Sequence, residues 1–164
     1  MTTSVYDNLD RLVSTTDSAG NVTAYAYDSR NNPLRKTDAL SHESRQVYDG
    51  LGRLTATIRD MDGNGASASD PADIRTTQTW DDSSRLTGQT DNNGNTTSYV
   101  FDALNRRTAI VYADGTQSTS AHDVHDNATT STDGNGSAVA MTYDALNRLT
   151  AKSITPGPGV SSDT

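Results

Sequence analysis

Short runs rich in threonine, valine and tyrosine alternate along the chain with turn residues. Runs such as 54–58 (Leu-Thr-Ala-Thr-Ile) and 96–101 (Thr-Thr-Ser-Tyr-Val-Phe) have the β-branched and aromatic enrichment that is typical of strands. Segments such as 7–11 and 17–21 are rich in Asp, Asn and Gly, which tolerate positive φ or hydrogen-bond their own backbone. The pattern predicts strand, turn, strand, turn throughout, and helices have no obvious place.

Within the predicted strands, apolar and polar side chains alternate. Val139, Met141 and Tyr143 fall on one face of their strand because successive side chains point to opposite faces of a sheet. One face is therefore moderately apolar and the other is polar.

A single unit recurs through almost the whole sequence. An aromatic or aromatic-like residue is followed at once by Asp in seven places: Tyr6-Asp7, Tyr27-Asp28, Tyr48-Asp49, Trp80-Asp81, Phe101-Asp102, His122-Asp123 and Tyr143-Asp144. The steps between these pairs are 21, 21, 32, 21, 21 and 21 residues. A fixed period of this size marks an array of stacked supersecondary units.

The turn after each aromatic carries a second repeated position. Five residues after the aromatic stand Arg11, Asn32, Arg53, Arg85, Arg106, Asn127 and Arg148. Stacked copies would bring the Asp residues into a ladder that repels itself, and an Arg across the turn would offset this by charge-assisted hydrogen bonds. We therefore interpret the aromatic-Asp and Arg positions as structural.

The repeats predict one array over residues 4–153, all-β and built from tandem antiparallel hairpins of about 21 residues in a curved or spiral sheet. The fourth unit is longer by 11 residues, near 60–71, where polar and small residues suggest a solvated surface loop. Residues 154–164, rich in Pro, Gly and Ser, are expected to form a flexible tail.

Composition limits the possible partners. Only 32% of the residues are hydrophobic, so the core must be thin, and the formal net charge is −8. Nucleic acid and anionic membrane surfaces are disfavoured because cationic side chains are not in excess. Neither a signal peptide nor an apolar stretch long enough for membrane insertion is visible.

The segments 16–28, 48–55 (YDGLGRLT) and 143–150 (YDALNRLT) closely resemble the YD repeats of bacterial Rhs proteins. The same repeat occurs in the wall-associated protein WapA, in the C component of Tc toxins and in teneurins. The resemblance covers about residues 4–153. It implies hairpins that coil side by side into a hollow shell, which in bacterial members encloses a C-terminal toxin.

For this chain the resemblance implies a non-catalytic wall segment of a larger secreted or cell-surface polymorphic toxin or adhesin. Its partners would be neighbouring repeats of a longer polypeptide or an enclosed effector. Two alternatives remain open: a module that binds carbohydrate or a cell-surface protein, and an inactive truncated fragment. A fragment with two open sheet edges would be expected to self-associate through those edges.

One candidate metal site lies in the long loop. Asp60, Asp62, Asn64 and Asp70 have oxygen ligands at the spacing that begins a calcium loop, with a turn at Gly65. The twelfth position carries Pro, where an EF-hand has Glu, and no helices flank the loop. A solvated loop is the favoured interpretation, calcium remains a hypothesis, and no other cofactor is expected.

Aromatic rings give the other candidate site. Trp80 and Tyr99 could stack on sugar rings, although a ring ladder between hairpins is the better interpretation. His122 and His125 lack a third metal ligand, and on a strand they would point to opposite faces. No nucleophile motif is present, so catalysis has no support in the sequence.

Overall fold

The computed structural model describes residues 1–159, which contain fourteen β-strands and no helix. The strands are β1 (Thr3–Tyr6), β2 (Leu12–Thr16), β3 (Val22–Tyr27), β4 (Pro33–Thr37), β5 (Glu43–Tyr48), β6 (Leu54–Arg59), β7 (Ile74–Trp80), β8 (Leu86–Thr90), β9 (Thr96–Phe101), β10 (Arg107–Val111), β11 (Gln117–His122), β12 (Ala128–Thr132), β13 (Ala138–Tyr143) and β14 (Leu149–Thr155). The predicted all-β fold of tandem antiparallel hairpins is confirmed. In this part of the chain no helix is long and apolar enough to cross a membrane.

The chain divides into two compact units, the first of which comprises Met1–Arg85 and Gln89–Gly94. Strands β1 to β7 belong to it and pair in chain order, each antiparallel to the next. Every connection between them is therefore a hairpin.

The second unit comprises Leu86–Gly88 and the residues from Asn95 onward. Strands β9 to β14 pair in chain order and antiparallel, as β1 to β7 do. Strand β8 contributes residues to both units.

The turn after each aromatic is a three-residue loop closed by a left-handed residue. In the first repeat the Asp10 amide donates to the Asp7 carbonyl (3.1 Å), the Asp7 amide donates to the Arg11 carbonyl (2.9 Å), and Asp10 has φ of 59°. The equivalent residues with positive φ are Asn31, Gly52, Ser84, Asn105, Asp126 and Asn147. Gly, Asn and Asp tolerate this conformation best, which accounts for the turn composition.

The same hairpins carry a β-bulge, because the register shifts beside the aromatic. Tyr6 lies opposite Leu12 and Val5 lies opposite Ser14, which leaves one extra residue on β2. Bulges of this kind occur next to a left-handed turn residue and strengthen the local twist.

The hydrophobic core is as thin as the composition predicts. Within residues 1–159 the buried hydrophobic residues are Ala56, Ile58 and Ala66, and no large side chain is fully buried. Ala56 and Ile58 lie on β6, and Ala66 lies in the long loop that follows it.

That loop spans residues 60–73, between Arg59 and Ile74, whereas the corresponding turn of the first repeat spans 17–21. The expectation of a solvated loop near 60–71 is wrong at Asp60, and Asp73, just beyond those bounds, is also buried. Asp60 and Asp73 are 5% and 2% exposed, because their carboxylates bind backbone amides of the loop itself.

Strand β14 runs to Thr155, so the predicted tail at 154–164 begins too early. Ile154 and Thr155 complete the ladder with Val139 and Ala138. Gly157 is buried and its amide donates to Ser137 Oγ (3.0 Å). Residues 160–164 of the predicted tail lie outside the described residues.

Candidate functional site

The repeated Asp and the Arg or Asn four residues after it meet in the turn that follows each aromatic residue, here called the first turn of the repeat. We call this turn and its contacts to the next hairpin a junction. The Asp carboxylate accepts most of the hydrogen bonds within it. Asp7 Oδ1 accepts hydrogen bonds from the backbone amides of Leu9 (2.9 Å) and Arg11 (3.0 Å). Asp7 Oδ2 accepts from Arg11 Nε (2.7 Å). The amide and guanidinium bonds from Arg11 hold the pKa of Asp7 below its ordinary range although partial burial opposes them.

In the first, third and fifth repeats the Arg also reaches the next hairpin. Arg11 Nη1 donates to the Asp28 carbonyl (2.9 Å) and to Asn31 Oδ1 (3.0 Å). Arg106 Nη1 donates in the same way to the Asp123 carbonyl (3.0 Å) and to Asp126 Oδ1 (2.7 Å). One guanidinium therefore closes its own turn and ties that turn to the following one.

The aromatic residue returns a bond to the preceding hairpin. Tyr27 Oη donates to the Leu12 carbonyl (3.0 Å) and Tyr143 Oη donates to the Ala128 carbonyl (2.9 Å). The Arg11 guanidinium lies 5.0 Å from the centre of the Tyr27 ring, within cation–π range. Between the first and second repeats, the hydrogen bonds that join the two hairpins therefore run in both directions.

The insertion leaves the junction beside it unchanged. Arg53 Nη1 donates to the Asp81 carbonyl (2.7 Å), Trp80 Nε1 donates to the Leu54 carbonyl (2.8 Å), and Arg53 lies 5.8 Å from the Trp80 ring centre. The extra residues lie in the turn at the other end of β6 and β7, so the first-turn end keeps its geometry.

Two junctions carry Asn in place of Arg. Asn32 Nδ2 and Asn127 Nδ2 donate to the Asp28 and Asp123 carboxylates, each at 2.9 Å, and lower the pKa of those groups. The shorter side chain keeps the bond within the turn. Asn127 Nδ2 also donates to Asn147 Oδ1 (3.0 Å), so this junction retains one tie to the next hairpin.

The sixth repeat departs further, as its His in the aromatic position suggests. His122 Nδ1 is buried and has no hydrogen-bond partner within residues 1–159. The Arg107 carbonyl, which would accept from a Tyr there, accepts from Ser120 Oγ (3.0 Å). We find no third ligand that would make His122 and His125 a metal pair in the described part of the chain.

The carboxylates that cluster in the loop are not the set predicted for calcium. Ligand atoms of Asp60, Asp62 and Asp73 lie within 4.8 Å of one another, so Asp73 stands in the cluster in place of the predicted Asp70. Asn64 Nδ2 donates to Asp62 Oδ2 and to Asp70 Oδ2 (both 2.9 Å).

Backbone amides already occupy the two buried carboxylates of this cluster. Asp60 Oδ1 accepts from Gly63 (2.7 Å) and Asp60 Oδ2 accepts from Gly65 (3.1 Å), while Asp73 Oδ2 accepts from Ser67 (2.7 Å). This arrangement secures the loop, and calcium binding stays a prediction.

The glycan candidates are half-buried, and each has a cation over its ring. Arg53 lies over Trp80, and Arg107 lies 5.8 Å from the centre of the Tyr99 ring. The Trp80 indole N–H is bonded to the Leu54 carbonyl. Glycan binding at these residues stays a prediction that no contact in the structure favours.

The sequence indicated that Asp and Arg interact within one turn, but it did not indicate the hydrogen bond from the Arg to the next hairpin. That tie uses backbone carbonyls, which leave no signature in the sequence. A usable signal was the shared period of the Arg and the aromatic, since two side chains that recur together can meet in every junction.

These junctions define the class of protein, a repeat array in which hairpins are tied side by side. The model of the RHS Repeat family matches residues 6–43, 27–64, 80–117 and 122–158. The matches cover more than half of the chain, so it belongs to this family. No curated protein matches.

Solved structures agree on the fold. A crystal structure of TcdB2-TccC3-TEV shares 12% identity, covers 96% of this chain and gives a TM-score of 0.52. One of TcdB2-TccC3 without its hypervariable C-terminal region shares 12% identity, covers 93% and gives 0.50. The chain spans only 10% of the length of either matched chain.

Proposed function

We propose that this chain is a non-catalytic structural segment of an Rhs-type shell, in which its hairpins continue into a curved wall that encloses or presents an effector. The observation that supports this proposal is that the repeated polar side chains form hydrogen bonds to one another and to the next hairpin. The Arg side chains of the first, third and fifth repeats are bonded both to their own Asp and to the next hairpin. Groups held in this way serve cohesion of the wall.

Family membership and the fold likeness to TcdB2-TccC3 support a structural repeat module. Enclosure of an effector, export in a toxin or surface protein, and the absence of catalysis belong to the proposal. We do not propose carbohydrate binding as a second function, because arginine side chains lie over the Trp80 and Tyr99 rings.

The test is to capture the native polypeptide from its source cells with an antibody to this segment and to map its peptides. The proposal expects a product well above 17.4 kDa, in which repeats are followed by a domain that resists added protease until the repeats are unfolded. A stable product of 17.4 kDa without a protected partner would refute enclosure.

A further inference from the structure

The junction of the fifth repeat shows which groups hold a guanidinium group in this protein. Arg106 Nη2 pairs with the carboxylate of its own turn, Asp102 Oδ2 (2.7 Å). Its Nη1 donates to the Asp123 carbonyl (3.0 Å) and to Asp126 Oδ1 (2.7 Å) of the next turn. In the first and third repeats the ring of the next aromatic residue adds a cation–π contact. A carboxylate, a carbonyl, a side-chain oxygen and a ring therefore surround the cation.

The sixth junction has the same surroundings without a guanidinium group. The four equivalent groups are the Asp123 carboxylate, the Asp144 carbonyl, Oδ1 of Asn147 and the ring of Tyr143. All four residues line one cleft of about 410 Å³. Asn127 occupies the Arg position and donates to Asp123 Oδ2 and Asn147 Oδ1, but within residues 1–159 it does not reach the Asp144 carbonyl. The place of the guanidinium group is therefore only partly filled.

The carboxylate in this cleft also lacks a counter-charge. In the junctions with Arg, a guanidinium nitrogen lies 2.6–2.7 Å from the turn carboxylate. Within residues 1–159 Asp123 forms no ion pair, and its side-chain partner is the neutral amide of Asn127. Asp123 is half-buried, so solvent screens its charge less than that of an exposed carboxylate. The cleft therefore favours a cation.

The second repeat, which also has Asn at the Arg position, supplies a cation in another way. Its Arg30 Nη1 donates to the Gly50 carbonyl of the next hairpin. The position of Arg30 corresponds to that of His125 in the sixth repeat, and His125 lines the cleft. The sixth junction thus lacks both the usual Arg and the substitute that the second repeat has.

The acceptors of the cleft have capacity for further hydrogen bonds. Asp123 Oδ2 accepts one bond, from Asn127 Nδ2, and a carboxylate oxygen accepts about two. The Asp144 carbonyl accepts from the Asn147 amide (2.9 Å). In the first junction the equivalent carbonyl accepts such an amide and a guanidinium N–H together. Both acceptors can therefore bind a further donor without losing the bonds that close the turns.

We propose that the cleft at the sixth junction binds a guanidinium group, supplied either by an arginine side chain of another polypeptide segment or by a free guanidino compound. The cation lies over the Tyr143 ring, pairs with the Asp123 carboxylate and donates to the Asp144 carbonyl. A planar group with several N–H donors suits these acceptors better than an ammonium group does. The inference concerns a junction between two described hairpins and does not depend on the presence of an effector.

A titration of the full chain with methylguanidinium chloride at constant ionic strength, followed by amide NMR spectra, tests the site. Saturable shifts are expected in residues 123–129 and 143–147. Methylammonium should bind about fivefold more weakly or less, because it cannot form two parallel hydrogen bonds. A Gly-Arg-Gly peptide with blocked ends, compared with Gly-Lys-Gly, distinguishes the two sources. Tighter binding of the arginine peptide than of methylguanidinium indicates a polypeptide, and the reverse order indicates a free compound.

Two variants fill the cleft from within the chain. Asn127→Arg restores the residue of the other repeats, and His125→Arg copies the second repeat. Each should weaken methylguanidinium binding by about tenfold or more, the effect of one charge-assisted hydrogen bond, with a native circular dichroism spectrum. Asn32→Arg is the matched control and should leave the affinity unchanged, because it alters a different junction. The proposal is overturned if the shifts do not saturate, if methylammonium binds as tightly, or if Asn127→Arg binds as well as the unchanged chain.

Discussion

The Tyr hydroxyls that join neighbouring hairpins provide a graded test of the junctions. In Tyr143→Phe the ring stays, and the hydroxyl loses its 2.9 Å bond to the Ala128 carbonyl together with a weak 3.8 Å contact to Met141 Sδ. A hydrogen bond of this kind contributes about 1 kcal/mol net, and the carbonyl that loses its donor is half-buried. We expect the free energy of unfolding to fall by about 1 kcal/mol, or the midpoint temperature by about 3 °C. Tyr27→Phe should behave alike, since its hydroxyl is 3.0 Å from the Leu12 carbonyl.

Tyr48→Phe is the matched control. Tyr48 Oη donates to the side-chain oxygen of Gln46 on its own strand (3.1 Å), and that amide can turn to water when the hydroxyl is removed. Its loss should cost less than about 0.5 kcal/mol. Urea unfolding followed by circular dichroism gives all three values under one set of conditions. Equal losses for Tyr48→Phe and Tyr143→Phe would show that hydroxyls do not couple the hairpins.

Three further outcomes are expected. His122→Tyr should raise the unfolding free energy by about 0.5–1 kcal/mol, because it replaces a buried, unpaired Nδ1 with a donor to the Arg107 carbonyl; no gain in urea midpoint would contradict this. Asp73→Ala should cost about 2 kcal/mol and speed hydrogen exchange in the loop, as its carboxylate accepts from two amides, while exposed Asp62→Ala should cost far less. Acid should also weaken the array: the turn carboxylates have pKa values below the ordinary 3.8, chiefly because amides and guanidinium groups bind them. Their contribution is therefore present above about pH 4 and lost as the pH falls through the folded pKa values, and a constant urea midpoint from pH 6 to pH 2 would refute this.

The hairpin array could be predicted from the sequence because the period, the turn residues and the strand residues all indicate the same repeated hairpin. The turn position occupied by Asp10, Asn31 and Gly52 needs a left-handed backbone, and these residue types show it directly. The Asp–Arg bond within a turn was also accessible, since both residues lie in one short segment.

The structure of the loop at 60–73 could not be predicted in the same way. The spacing of Asp60, Asp62 and Asn64 indicated an ion-binding pattern. Asp73 lies outside that pattern, yet it clusters with Asp60 and is the more deeply buried of the two. Which carboxylate is buried depends on how the loop folds back. The Asp60 amide donates to the Glu43 carbonyl (2.8 Å), a contact on another strand that ligand spacing does not encode.

The exchange of Arg for Asn separates the two tasks of the junction. Asn32 and Arg11 both bond the carboxylate of their own turn, so a turn is closed by any side chain with an amide or guanidinium N–H at this distance. Only the longer Arg also reaches the next Asp carbonyl. In the second repeat the third hairpin is reached instead by Arg30, whose Nη1 donates to the Gly50 carbonyl from elsewhere in the turn. Cohesion between hairpins therefore depends on the junction as a whole, and more than one position can supply the bond. Repeats can diverge at the Arg site without losing their register.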